Sequence, residues 1–275
     1  MSVDNMTPIV IRAMSDADYR ETLFSDFDQA VEGCGLTNQE REFLQNFSRQ
    51  RLESLVGTLV MHDVAPVRAG DRVWIIPSWW DDPLDKEAIA IRLQTGVVFG
   101  NGSHPTTRLC VAALEKYLRP GQRVFDLGTG SGILAIAAAR LGAESVLAVD
   151  LSPIAAETAR HNVEANQAEQ CVRVECGSLD FVQSSENRQP PFDVVTANLL
   201  TPILLEMLAS GVSDVLRPGG LMIASGFPQH HLPAIKKSAL AVGLRTLEHR
   251  QLEGWSRIVL RKRTKFSIFN LIREK

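Results

Sequence analysis

Cysteine is scarce in this chain of 275 residues: only Cys34, Cys110, Cys171 and Cys176 occur, too few and too unevenly spaced to staple a small disulfide fold. Cys171 and Cys176 stand five apart in a strand-like run, which matches neither a zinc knuckle nor a C-x-x-C redox pair, so both are expected as buried, reduced thiols. His230 and His231 fall outside any ligand spacing and read as surface residues; no metal is expected. Long apolar runs are also missing, since nothing approaches the roughly 20 residues of a membrane-spanning helix. The opening MSVDNMTPIVIRAMSDADYRE has neither the basic start nor the apolar core of a secretory signal. These absences predict a cytoplasmic protein without membrane contact. Charge of one sign is lacking too: 29 Lys and Arg against 32 Asp and Glu leave a net charge of −3, so no bulk electrostatic footprint for nucleic acid exists.

The chain is long enough for one large α/β core with a smaller appendage. Residues 1–68 carry helix-like segments, DADYRETLFSDFDQAVEGCG and TNQEREFLQNFSRQRLESLVGTLV, the second opening with Thr37 and Glu40 at capping-box spacing. They are read as a largely helical accessory or substrate-recognition region. The catalytic domain is assigned to residues 69–275. It begins with RAGDRVWIIPSWW, whose β-branched and aromatic alternation broken by proline predicts short strands. From QRVFDLG onward, short apolar runs alternate with helical segments, GILAIAAARLGA and SPIAAETARHNVEAN among them, through strands VRVECG, PFDVVTANLL and LMIASG. TPILLEMLASGVSDVLRPGG reads as a helix and turn ahead of LMIASG, and LRTLEHRQLEGWSRIVLRKR as a closing hairpin. Repeated βα units require right-handed crossovers and helices on both faces. The expected fold is therefore α/β, a Rossmann-like doubly wound, mostly parallel seven-stranded sheet with a small N-terminal region. The tail RKRTKFSIFNLIREK mixes apolar and basic residues, and reads either as a terminal helix or as a segment docking on a partner or on anionic RNA.

In such sheets ligands lie at the carboxyl ends of the strands. The first strand runs into DLGTGSG, placing Asp126, Gly128, Gly130 and Gly132 where a backbone must turn tightly toward an anionic or polar ligand. The second ends at Asp150, twenty residues on, where a carboxylate can accept from both hydroxyls of a ribose. GSGILA also fits a dinucleotide fingerprint, so these letters alone leave NAD open beside other adenosine cofactors.

FGNGSHPTTRLC, DLGTGSGILAIAAARLGA, AVDLSP, VVTANLL, LRPGGLMIASG and EGWSRIVLRKR together resemble the class I S-adenosylmethionine methyltransferases, and more narrowly the PrmA family, which methylates ribosomal protein eleven of the large subunit. The resemblance covers roughly residues 69–263 and leaves the N-terminal region unmatched. It implies S-adenosyl-L-methionine as cofactor, with Thr106 or Thr107 at its methionine end, Gly128 in the glycine loop, Asp150 on the ribose and Asn198 beside the transferring methyl. By the same analogy Asp180, after the third strand, is the candidate for the adenine amine. The implied reaction is methyl transfer to an amine nitrogen of a protein, lysine or α-amino group, with a ribosomal protein as one partner. A small-molecule N- or O-methyltransferase and a non-catalytic cofactor-binding scaffold remain alternatives. Asn198 can accept a hydrogen bond from a neutral amine and aim its lone pair. His104 is a candidate base or a structural hydrogen-bonder. Phe99, Leu199 and Trp255 are candidates for the substrate pocket, with packing an equal reading for Phe99 and Trp255.

Overall fold

The computed structural model describes residues 9, 13, 17–45, 66–77, 80, 82–93, 102–187 and 189–264. Phe99 and the tail from residue 265 on lie outside them. The chain divides into two compact units, residues 1–64 with 95–97, and residues 65–94 with 98–275.

The described part of the first unit is helical: α1 (Ala17–Ser25), α2 (Phe27–Ala30) and α3 (Asn38–Gln45). Asp26 caps α2, its carboxylate accepting the Gln29 N–H at 3.2 Å, the short polar side chain replacing a missing backbone acceptor. Ile9, Ala13, Tyr19, Leu23, Val31 and Leu44 form a small core. Over it the Tyr19 hydroxyl donates to the Ala30 carbonyl at 2.8 Å, which satisfies the polar end of a buried ring.

The second unit opens with a three-stranded sheet, β1 (Val67–Arg68), β2 (Val73–Pro77) and β3 (Ile89–Leu93), in which β1 pairs antiparallel and β3 parallel to β2. The expected short strands are present. Asn166, at the C-cap of the helix Pro153–Ala165, ties this sheet to that helix end, its amide oxygen accepting the Arg92 N–H at 2.8 Å while its Nδ2 donates to the Arg92 carbonyl at 2.5 Å.

After α4 (Pro105–Tyr117) the chain alternates β4 (Arg123–Leu127), α5 (Ile133–Arg140), β5 (Ser145–Asp150), α6 (Pro153–Ala165), β6 (Val172–Cys176), α7 (Leu179–Gln183), β7 (Phe192–Asn198), α8 (Thr201–Ala209) and β8 (Leu216–Pro228). It closes with α9 (Leu232–Ala241), β9 (Leu244–Leu252) and β10 (Trp255–Lys262). The seven-stranded sheet has the order β6-β5-β4-β7-β8-β10-β9, parallel except for β10. Each face carries its own apolar core. Val124, Val146, Val194, Ile223 and Val259 point toward α4, α5 and α6, while Phe125, Leu147, Val195, Met222 and Leu260 point the other way. Strands buried on both faces read as continuous apolar runs because helices cover them on either side.

Three sequence expectations change here. β8 starts at Leu216, so LRPGG belongs to the strand; its extra residues are absorbed by a register shift against β7, where Phe192 faces Leu216 but Val194 faces Leu221. Cys176 is exposed and Cys171 half-buried, because they stand at the end of β6 and just before its start, and β6 is an edge strand of the sheet. His231 is half-buried rather than on the surface, with Nδ1 2.7 Å from the Thr201 hydroxyl. The closing hairpin stands as expected, turning through Glu253 and Gly254, both with positive φ of 52° and 80°, the conformation that matches the strand twist.

Candidate active site at the strand tips

Strand order reverses between β4 and β7, which opens a crevice at their carboxyl ends. β4 delivers Gly128, Thr129 and Gly130 into that crevice; β7 delivers Asn198. The loop is tied sideways to β5, since the N–H groups of Gly128 and Thr129 both donate to the Val149 carbonyl at 2.9 Å. Gly128 has φ +73°, and a Cβ there would lie 2.4 Å from Leu199 Cδ2. The backbone conformation therefore demands glycine, while a Cβ would also require the Leu199 side chain to move. Gly132 also has a positive φ, +82°, and in addition packs closely, with Ala159 of α6 3.2 Å from where its Cβ would be.

Asp150 stands at the tip of β5, half-buried. Its carboxylate accepts the Gly130 N–H and the Ser152 N–H, each at 2.9 Å. Two backbone donors fix its direction, and each oxygen retains a further lone pair for an incoming hydroxyl. Asp180 lies in the first turn of α7, exposed, with Oδ1 accepting the neighbouring Phe181 N–H at 3.0 Å.

Asp126 is placed differently. It is buried under the loop, accepting from the Thr129 hydroxyl at 2.6 Å and the Thr196 hydroxyl at 2.5 Å. Burial pushes its carboxyl up to about 6, against the pull of the two threonine hydroxyls. It thus braces the glycine loop against the strand that ends in Asn198. Thr129 and Thr196 were not singled out in the sequence; only the hydroxyl-bearing positions beside an interior acid hinted at them.

α4 contributes the upstream loop. His104 caps it, Nδ1 accepting the Thr106 N–H at 3.3 Å and lying 2.7 Å from the Thr106 hydroxyl, while its ring meets Trp255 edge-on at 4.8 Å. Partial burial lowers its pKa, opposed by the charge of Glu253, so the ring is neutral near pH 7 with Nδ1 as acceptor. The structural role of His104 is therefore that of a helix cap. Thr106 and Thr107 are both buried.

Two atoms stand out. The Thr107 hydroxyl and Asn198 Oδ1 are buried without a hydrogen-bond partner. Such groups are rare because an unsatisfied buried polar atom costs about 1–3 kcal/mol. Asp126 pairs in register with Thr196, and Asn198 with Ser225 on β8; alternation puts all four on the face covered by α4. Cys110, one turn after Thr107, sits among Asp126, Ser225 and the buried Arg257, and burial pushes its thiol up to about 12. Arg257 was also missed, since nothing local marks an arginine in β10 as interior. Leu199 packs over Gly128, and Leu200 and Ile203 beyond it are exposed.

The set fits S-adenosylmethionine: a carboxylate for a ribose, a loop that admits close approach, and two unpartnered oxygens for the polar amino-acid end or its amine acceptor. Among the described residues no group of His, Cys, Asp and Glu is arranged to hold a metal ion, and no helix is long and apolar enough to cross a membrane.

Residues 43–263 match the family described as ribosomal protein L11 methyltransferase (PrmA), reaching well upstream of the region that the motifs alone covered. The ribosomal protein L11 methyltransferase of Geobacillus kaustophilus is 40% identical over 198 residues, 72% of this chain and 62% of that one. The protein of the same name from Paraburkholderia xenovorans is 47% identical over 161 residues, 58% of this chain and 50% of its own. The chain thus spans less than two thirds of the length of these relatives. A crystal structure of the ribosomal protein L11 methylase from Lactobacillus delbrueckii subsp. bulgaricus superposes with a TM-score of 0.64 at 29% identity, covering 73% of this chain and all of that one.

Proposed function

This chain belongs to the PrmA family of ribosomal protein L11 methyltransferases, and from that premise we propose that it transfers the methyl group of S-adenosylmethionine to an amine nitrogen of a protein, lysine or α-amino. A ribosomal protein is the proposed acceptor, by analogy with what the relatives are named for. The cytoplasm, where such an acceptor is made, is the proposed location.

The bound cofactor would supply an electrophilic methyl on a sulfonium. What this chain adds is position. Asp150, held by two N–H groups, would take the ribose hydroxyls; Gly128, at φ +73°, lets the loop turn tightly at the strand end; the Thr107 hydroxyl would meet the methionine end. An attacking amine must be neutral and in line with the departing bond, at about 3–3.5 Å. Asn198 Oδ1 would accept one of its N–H groups and leave its lone pair directed at the methyl. The surrounding burial excludes water that would otherwise solvate the amine.

The observation that carries this reading is the buried, unpartnered Oδ1 of Asn198 at the tip of β7. Incubation with radiolabelled S-adenosylmethionine and either large-subunit ribosomal proteins or a metabolite extract tests it. Label in a protein band is expected. Label confined to small molecules, or tight cofactor binding without turnover, would overturn it.

A further inference from the structure

We propose that the corner of the sheet opposite the strand tips binds the phosphate backbone of RNA. There Arg245, Arg261, Lys262 and Arg263, with Gly219 and Thr264, line a cavity of about 400 Å³. No carboxylate is among the residues lining it. The position is set by topology: Arg261 pairs with Leu221 in the first half of β8, whereas Trp255 pairs with Pro228 at its end, beside the candidate active site. The cavity and the methyl-transfer crevice therefore occupy opposite ends of β8 and β10.

Arg245 and Arg261 face one another directly across β9 and β10. Like charges directly opposite on an antiparallel pair destabilise it. The same two strands contain a second such pair, Arg250 facing Arg257, and there the fold supplies a counter-charge: Glu248 lies 3.4 Å from Arg250 and 2.8 Å from Arg257. For Arg245 and Arg261 no described residue does so. Lys262 donates its ammonium to the Leu216 carbonyl at 2.9 Å, which holds a third cation in place without neutralising it. In a chain of net charge −3, four cations gathered around one hollow make a local site that attracts anions.

The lining offers no aliphatic or aromatic side chain for insertion into a bilayer, and its guanidinium groups suit phosphate oxygens. RNA is chosen because the proposed acceptor is a ribosomal protein, and that choice rests on the functional reading above; the anionic character of the ligand does not.

The test is fluorescence anisotropy of the full chain with a labelled single-stranded RNA of about 16 nucleotides, across salt concentrations, for the parent and for the double variant Arg245→Gln, Arg261→Gln. Binding weaker by about tenfold or more is expected in the variant, with the slope of log affinity against log salt smaller by about 1.4, two phosphate contacts at ~0.7 each. Removing the facing charges should leave the melting temperature unchanged or raised, a result that a purely structural role for these arginines would not produce. Equal RNA binding by parent and variant would refute the proposal. So would polyglutamate binding as tightly as RNA, or binding of inorganic phosphate without RNA. S-adenosylmethionine affinity, measured in parallel, should not change; if the parent binds RNA here but no cofactor, the methyltransferase reading fails and this one stands.

Discussion

Gly226 on β8 lies against Leu199 so closely that a Cβ there would sit 2.3 Å from the Leu199 carbonyl oxygen and 2.7 Å from its nitrogen. The segment pressed in this way is the turn that follows Asn198, and Leu199 in turn covers Gly128. The strand tip, the glycine loop and β8 are thus packed as one unit.

Gly226→Ala should destabilise the protein by about 2 kcal/mol or more, since φ is +92° and backbone, not a flexible side chain, must give way. Urea unfolding measures this. Turnover should fall as well, through displacement of Asn198. Stability within about 0.5 kcal/mol of the parent would show that the contact relaxes freely.

Asn198→Ala and Asp150→Ala should separate chemistry from cofactor binding. The first is expected to slow turnover with near-normal affinity for S-adenosylmethionine, because it removes the buried, unpartnered oxygen proposed to accept from the amine. The second should weaken cofactor binding more than tenfold, a loss of about 1.5–3 kcal/mol, and also release the Gly130 N–H. Calorimetry and steady-state rates read both; the opposite pattern would exchange their roles.

Asp126 predicts a specific pH dependence. Burial raises its carboxyl to about 6, above the value near 3.9 in an unfolded chain. The folded state then holds the proton more tightly than the unfolded state, so this group's contribution is most favourable below about pH 4 and is lost as pH climbs toward 6. Asp126→Asn should remove that trend. Comparison of parent and variant by chemical denaturation from pH 4 to 7 should show their stability difference changing between about pH 4 and 6 and flattening toward pH 7.

Glu248 predicts the reverse sign. Burial alone would raise its carboxyl, but hydrogen bonds from Lys116, Arg257 and Tyr117 outweigh this and hold it down to about 2. Its stabilisation is complete above about pH 4.5 and fades as the pH drops toward 2. Glu248→Gln should destabilise the protein by about 3 kcal/mol at pH 7, because Arg257, only 3% exposed, already has Nε and Nη1 unpartnered and would lose the carboxylate it pairs with. Thermal melts at pH 7 and pH 3 check it, with the gap between parent and variant narrower at pH 3.

Much of the site was legible in the letters. Asp150 follows the glycine loop by one βα unit, and Ser152 and Pro153 announce the helix after it, so a local pattern placed the carboxylate at a strand tip. Asn198 was singled out through the family resemblance of VVTANLL, and the structure places it at the end of β7. His104 was half legible: the letters HPTT do not distinguish a base from a cap, and only the 3.3 Å approach of the Thr106 N–H assigns the ring nitrogen as acceptor. Asp126 was grouped with the ligand contacts because it neighbours the glycines, whereas its two bonded partners are hydroxyls of the protein itself.

By itself the sequence determined the succession of strands and helices, the seven-stranded sheet and the residues at its tips, because hydrophobic period, caps and glycine turns act over a few neighbouring residues. Tertiary structure alone decided which distant side chains meet: Thr196 with Asp126, Gly226 with Leu199, Glu248 with Arg257, and Arg245 with Arg261. Those meetings depend on strand order and register, where a shift of one residue turns a side chain to the other face, and no local pattern encodes that alignment.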